Sequence, residues 1–273
     1  MIARVILLGL LAVSTLLSAQ NLVLPADATG DNTATVPSEV RRAEPPPASW
    51  SAQELEEQAD SLRAEKAYAD SLDYYRAALA KRPDAAVLHN KMGMAELLMQ
   101  RFGRARKAFE RALKADPGYA EAINNLGVVY YMQNNYKKAI KHYLKAVVLR
   151  PDSASFHSNL GTAYFARKRY EEASASYLRA LELDPEVFER RSRTGVSAHM
   201  ASPGDRARYS YVIARMYARV GDNDRCLLYL KKAIEQGYPE IQKVHTDEEF
   251  AAVRKDPRFS ELWAPTPVPN VSN

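Results

Sequence analysis

NNLGVVYYMQNNYKKAIKHYLKAVVLRP, residues 124–151, decides the fold. Within it Gly127, Ala139 and Ala146 are small, Tyr143 is aromatic and Pro151 closes the segment. The same residue types recur at a step of 34 residues in both directions. The prolines are Pro83, Pro117, Pro151 and Pro185, and the aromatics are Tyr75, Phe109, Tyr143 and Tyr177. The small positions are Ala59, Gly93, Gly127 and Gly161; Ser71, Ala105, Ala139 and Ala173; and Ala78, Ala112, Ala146 and Ala180.

Small residues facing large ones at fixed offsets mark the close approach of two antiparallel helices, where a bulky side chain would push the pair apart. A helix of about 13 residues is marginal alone in water, and stacking on the next unit buries its apolar stripe. The expected fold is therefore all-α, a right-handed α-solenoid of helix-turn-helix repeats with a C-terminal capping helical element.

At residues 52–185 the chain resembles the tetratricopeptide repeat family, the segment 124–151 most closely. The resemblance implies a non-enzymatic scaffold or adaptor that binds a peptide segment or helix of another protein in a concave groove. Four repeats are expected at about 52–85, 86–119, 120–153 and 154–187. A fifth, at 207–240, is marked by Ala214, Tyr217, Cys226 and Ala233, with Phe188–Arg206 read as an insertion. Cys226 then serves as a small packing residue. Thr246 with Glu249 has the spacing of a capping box, and Asp256-Pro257 opens a further short helix carrying Phe259 and Trp263. Residues 241–263 are thus expected to cap the array, and the Pro-rich tail 264–273 is expected to be disordered.

The first residues, MIARVILLGLLAVSTLLSAQ, carry Arg4, an apolar run from Val5 to Leu17 and then small residues. A run of about 13 residues is shorter than the about 20 that span a bilayer, so 1–19 reads as a signal peptide cleaved near Ala19 rather than an anchor. Export to the periplasm or medium is the corresponding localisation. Residues 20–50, rich in Pro and Ala, read as a disordered spacer. With one cysteine in the chain, no intramolecular disulfide is possible.

Counting repeat positions from Ala86, Ala120, Ala154 and Ala207, the concave face takes positions 2, 5, 9 and 12 of each first helix. The partner-binding residues expected there are Asn90, Met94, Asn124, Tyr131, Ser158, Thr162, Phe165, Arg208 and Arg215. Amides and hydroxyls would bond a partner's backbone while the larger apolar side chains receive its side chains. The carboxylate clamp of some family members is matched only at Asn125. Asn90, Met94, Ser155 and Asn159 replace its other residues, so chaperone binding is not carried over.

Second-helix positions 19, 22 and 26 hold Arg104, Lys107, Arg111, Lys138, Lys141 and Lys145, a convex basic stripe. From Ala86 to Ser153 there are 12 Lys and Arg against 5 Asp and Glu, in a chain of net charge +5. The rival reading is an envelope-surface adaptor binding anionic lipid or cell-wall polymer through that stripe. Nucleic acid is not expected as a partner of an exported chain. No HExxH, GxSxG, phosphate-binding glycine loop or cysteine pair is present, so no catalytic residue, metal or cofactor is expected. The weakest alternative, an enzyme, would need His199 and Asp205 to converge with nearby arginines.

Overall fold

A computed structural model of the protein describes residues 44–188 and 203–263. Residues 1–43, read above as a signal peptide and the greater part of a spacer, residues 189–202 with Arg190, Arg191, Arg193 and His199, and the tail 264–273 lie outside the described residues.

Among the described residues there are five helical hairpins: α1 (Ala52–Ala64) with α2 (Tyr68–Lys81), α3 (Ala86–Leu98) with α4 (Phe102–Ala115), α5 (Ala120–Met132) with α6 (Tyr136–Leu149), α7 (Ala154–Ala166) with α8 (Tyr170–Leu183), and α9 (Pro203–Val220) with α10 (Asn223–Glu235). No strand occurs among the described residues. The solenoid of helix-turn-helix repeats read from the sequence is the fold.

The glycine–aromatic pairs set the spacing inside each hairpin. A methyl group at Gly93 would lie 2.4 Å from Phe109 Cε1, at Gly127 2.5 Å from Tyr143 Cε1, and at Gly161 2.6 Å from Tyr177 Cδ1. Each ring is buried and fills the space that the missing side chain leaves.

The turns inside the first four hairpins repeat as well. Lys66, Gln100, Asn134 and Lys168, 34 residues apart, all have positive φ. In each case the next N–H reaches back five residues, as in Asn135 to the Tyr130 carbonyl at 2.8 Å, which closes the first helix in the manner of a Schellman turn. The fifth hairpin places Gly221 at this point.

Between hairpins the connection is polar and also periodic. Position 5 of one repeat bonds position 6 of the next, 35 residues on. Lys91 Nζ pairs with Glu56 at 2.7 Å, Asn125 Nδ2 donates to Asn90 Oδ1 at 2.9 Å, and Asn159 Nδ2 donates to Asn124 Oδ1 at 3.1 Å. The series stops at the next junction. The buried Ser158 hydroxyl has no hydrogen-bond partner, and the corresponding position on α9 is Val212.

Three sequence expectations change at the ends of the array. The edges of the supposed insertion are structured: Phe188 is buried with its ring 5.5 Å from Tyr177, and Pro203–Arg206 begin α9, which is 18 residues long. The last residues of the spacer pack on α2, with Trp50 6.1 Å from Tyr74 and Lys81 Nζ donating to the Ala48 carbonyl. Thr246 does not form a capping box. Its backbone is helical after a 3-10 turn, its hydroxyl donates to the Lys243 carbonyl, and Glu249 turns to Arg215. The capping-box geometry occurs instead at Ser51 and Glu54, opening α1. The C-terminal element comprises 3-10 turns at Ile241–His245, Glu248–Phe250 and Val253–Lys255, then α11 (Pro257–Glu261), capped by Asp256 with Pro257 in its first turn. Val244, Phe250 and Val253 are fully buried against the last hairpin.

Candidate functional site

Seven of the nine residues expected to face a partner are buried, and many of their polar groups bond within the fold. Asn90 and Asn124 form the inter-repeat amide bonds, and Asn90 also lies against Met94 Sδ. Thr162 Oγ1 donates to the Ser158 carbonyl and accepts from Tyr177. Tyr131 packs on Tyr136 at 5.2 Å, and Phe165 meets Tyr170 and Tyr209 edge-on. An amide on a first helix can face a groove or the next repeat, and here the neighbouring repeat takes it.

Arg208 and Arg215 are different. Both line a cavity of about 730 Å³ bounded by the start of α8, one face of α9 and the C-terminal turns. Tyr170, Ser174, Tyr211, Arg219, Tyr238 and Asp247 are among its walls. The Arg208 guanidinium lies 4.8 Å from the Tyr170 ring and 5.6 Å from Tyr238, and pairs with Glu240 at 3.5 Å. Tyr238 stacks on Tyr211 at 4.5 Å, and the Tyr211 hydroxyl donates to Asp247 at 2.7 Å. Burial, then the Asp247 carboxylate, pushes the Tyr211 phenol well above its usual range, so it stays a donor. Arg215 holds Glu249 at 2.6 Å, and that hydrogen bond keeps the Glu249 carboxyl below the ordinary carboxylate range.

Several groups around this cleft are not engaged within the fold. Ser174 is buried at the wall, and its hydroxyl makes no hydrogen bond among the described residues. Arg219 is exposed and has no ion pair among them, and Arg215 Nε is buried without a partner. The size suits an extended peptide of a few residues, with aromatic faces for its side chains and both donors and acceptors for its backbone.

The six predicted convex cations are exposed on α4 and α6. Of the histidines, His157 bonds the Pro151 carbonyl at 2.9 Å, His142 stacks on Tyr130, and His245 lies against Phe259 and Trp263. Burial lowers the pKa of His89, and burial followed by Lys141, Lys145 and Lys138 lowers that of His142. No group of three or more His, Cys, Asp and Glu is placed to hold a metal among the described residues. No described helix is long and apolar enough to cross a membrane.

Cys226 is fully buried at a small packing position, and burial pushes its thiol up to about 12. The expected result in a thiol-titration time course is a silent cysteine in the native chain, with thiolate reduced on the order of a thousandfold, and full reaction after denaturation. Rapid native labelling would mean that α9 and α10 do not enclose it.

Models of the tetratricopeptide repeat match residues 90–154 and 154–187. No curated protein matches the chain. Among solved structures, a MamA fragment (residues 41 to the end) from Desulfovibrio magneticus RS-1 is 19% identical, with 72% of this chain and 97% of that one covered and a TM-score of 0.48. TTC0263, a thermophilic TPR protein of Thermus thermophilus, is 18% identical over 78% of this chain and 98% of its own, with a TM-score of 0.48. YrrB, described as a TPR protein with an unusual peptide-binding site, is 21% identical over 71% and 90%, with a TM-score of 0.45.

Proposed function

We propose that this solenoid, whose residues 90–187 match the tetratricopeptide repeat, is a non-catalytic scaffold that holds a segment of another protein at its C-terminal end. Proteins of such repeats in general mediate protein–protein interaction, and the finer reading rests on one observation. The first-helix face is closed along α3, α5 and α7, where Asn90 and Asn124 bond the next repeat and Ser158, Thr162 and Phe165 are buried, whereas on α9 it opens into the 730 Å³ cleft with Arg208, Arg215 and Arg219.

The cleft, with Arg208, Arg215, Arg219 and Lys243 set among five carboxylates, favours a short extended segment that brings an anionic group to Arg219 and an aromatic or aliphatic side chain beside it. The exposed Arg219 meets the charge, while Tyr170, Tyr211 and Tyr238 give flat apolar surface. We place this work outside the cytoplasm, on the strength of the apolar run Val5–Leu17 followed by Ser18 and Ala19.

The test is capture of partners by the full chain, identification of the captured protein, and a titration with the segment that binds. Arg219→Glu changes an exposed side chain and leaves the cap intact. It is expected to weaken binding about tenfold or more, and Arg208→Ala with Arg219→Glu to abolish it, with helix content unchanged. Equal affinity in the double variant would remove the cleft from the reading.

A further inference from the structure

We propose that the outer face of α4 and α6 docks on an anionic lipid bilayer, at a site separate from the cleft. The argument starts from charge. The helix α4 carries Arg104, Arg106, Lys107, Arg111 and Lys114 against Glu110 alone, and α6 carries Lys137, Lys138, Lys141 and Lys145 against no carboxylate. Two helices thus hold a surplus of +8 in a chain whose net charge is +5.

Local pairing does not neutralise it. Arg106 pairs with Glu110 at 3.7 Å, and the other eight cations are exposed with no ion pair among the described residues. The helices in the equivalent slots behave differently: α2 pairs Arg76 with Asp73, and in α8 Arg179 pairs with Glu182 while Glu172 pairs with Arg169 just ahead of the helix. Eight cations left without a carboxylate on two consecutive outer helices, against Lys81 alone on α2, form a patch rather than an evenly solvated surface.

The second observation is apolar. Of six large hydrophobic side chains exposed among the described residues, three lie on α6: Leu144 at 43%, Val148 at 80% and Leu149 at 46%. Lys137, Lys141, Leu144, Lys145 and Val148 fall at i, i+4, i+7, i+8 and i+11, within an arc of about 100° at 3.6 residues per turn. The half-buried Tyr130 borders them, with Lys138 Nζ 5.3 Å from its ring.

Lysines around protruding aliphatic side chains match a charged interface over hydrocarbon. The ammonium groups meet lipid phosphates, and Leu144 and Val148 enter the acyl boundary while the lysine stems extend alongside them. A soluble polyanion would use the same lysines but would gain nothing from Val148. The aliphatic residues therefore select the bilayer over a wall polymer.

The experiment is vesicle co-sedimentation of the full chain at about 0.1 M salt, comparing equimolar phosphatidylglycerol and phosphatidylcholine with phosphatidylcholine alone. Retention on the neutral vesicles reports the N-terminal apolar run and is the baseline for every variant. Above that baseline the wild type is expected to bind the anionic vesicles. The triple variant K138Q/K141Q/K145Q should lose on the order of a hundredfold of that excess, and Leu144→Ser with Val148→Ser about tenfold. Heparin, the probe for a soluble polyanion, should bind wild type and the serine double variant alike. No excess on anionic vesicles, an excess that survives the triple variant, or one indifferent to the serine pair would each overturn the bilayer assignment. All four side chains other than Lys138 project from the fold without a tertiary bond, and unchanged helix content confirms that each variant is folded.

Discussion

Replacing Gly127 with valine is expected to break the array at its centre, lowering stability by about 3 kcal/mol or more in denaturant titrations followed by circular dichroism. The Cβ alone would stand 2.5 Å from Tyr143 Cε1 and 2.7 Å from Cδ1, and that ring is buried. Alanine would gain about 1 kcal/mol of helix propensity at this site, yet the same first contact makes it destabilising too. Valine adds two methyl groups to the clash and little propensity. Adding Tyr143→Leu to the valine variant should restore part of the loss, because the smaller side chain vacates the contested space. A valine variant with the wild-type midpoint would mean that Gly127 does not set the α5–α6 distance.

Phe250→Ala is expected to release the C-terminal element while leaving the first four hairpins folded. Its ring is fully buried, 5.6 Å from Tyr211, and truncation of a buried aromatic costs about 3–5 kcal/mol. In a solenoid such a loss is taken up locally, since each unit touches only its neighbours. Hydrogen exchange should show fast amides over 241–263 and retained protection in α3 to α8. The cleft should fail with it, because Tyr238, Asp247 and Glu249 are carried by the segment that Phe250 pins. Undiminished protection over 241–263 would show that Val244 and Val253 suffice.

The repeat, its hairpins and the Gly–aromatic contacts were legible because they depend on residue size at a fixed period, which a sequence displays directly. The inner face was not. Asn90 and Asn124 were read one helix at a time as groove residues, and within one helix an amide gives no sign of which neighbour it meets. The signal lay across repeats, in polar residues paired at a separation of 35: Glu56 with Lys91, Asn90 with Asn125, Asn124 with Asn159. The S/T-x-x-E pattern was equally ambiguous. It caps α1 at Ser51 and fails at Thr246, where a preceding 3-10 turn already holds the backbone in a helical conformation. The cleft could not be seen in advance because its walls come from segments separated by tens of residues, and only Arg208 and Arg215 on α9 hinted at it.

The bonds between successive repeats differ in kind along the chain: an ion pair first, then two amide pairs, then an apolar residue opposite a bare hydroxyl. The first and last boundaries therefore carry keys of their own, while the two between them share one. A hairpin transplanted to another slot would bring Lys91 against an amide, or Asn159 against a carboxylate, and the mismatch would sit in a dry interior. The two ends of the order are written into these edges, whereas the α5–α6 unit, with an amide on both sides, is the one part of the array that could be skipped or repeated without a mismatch.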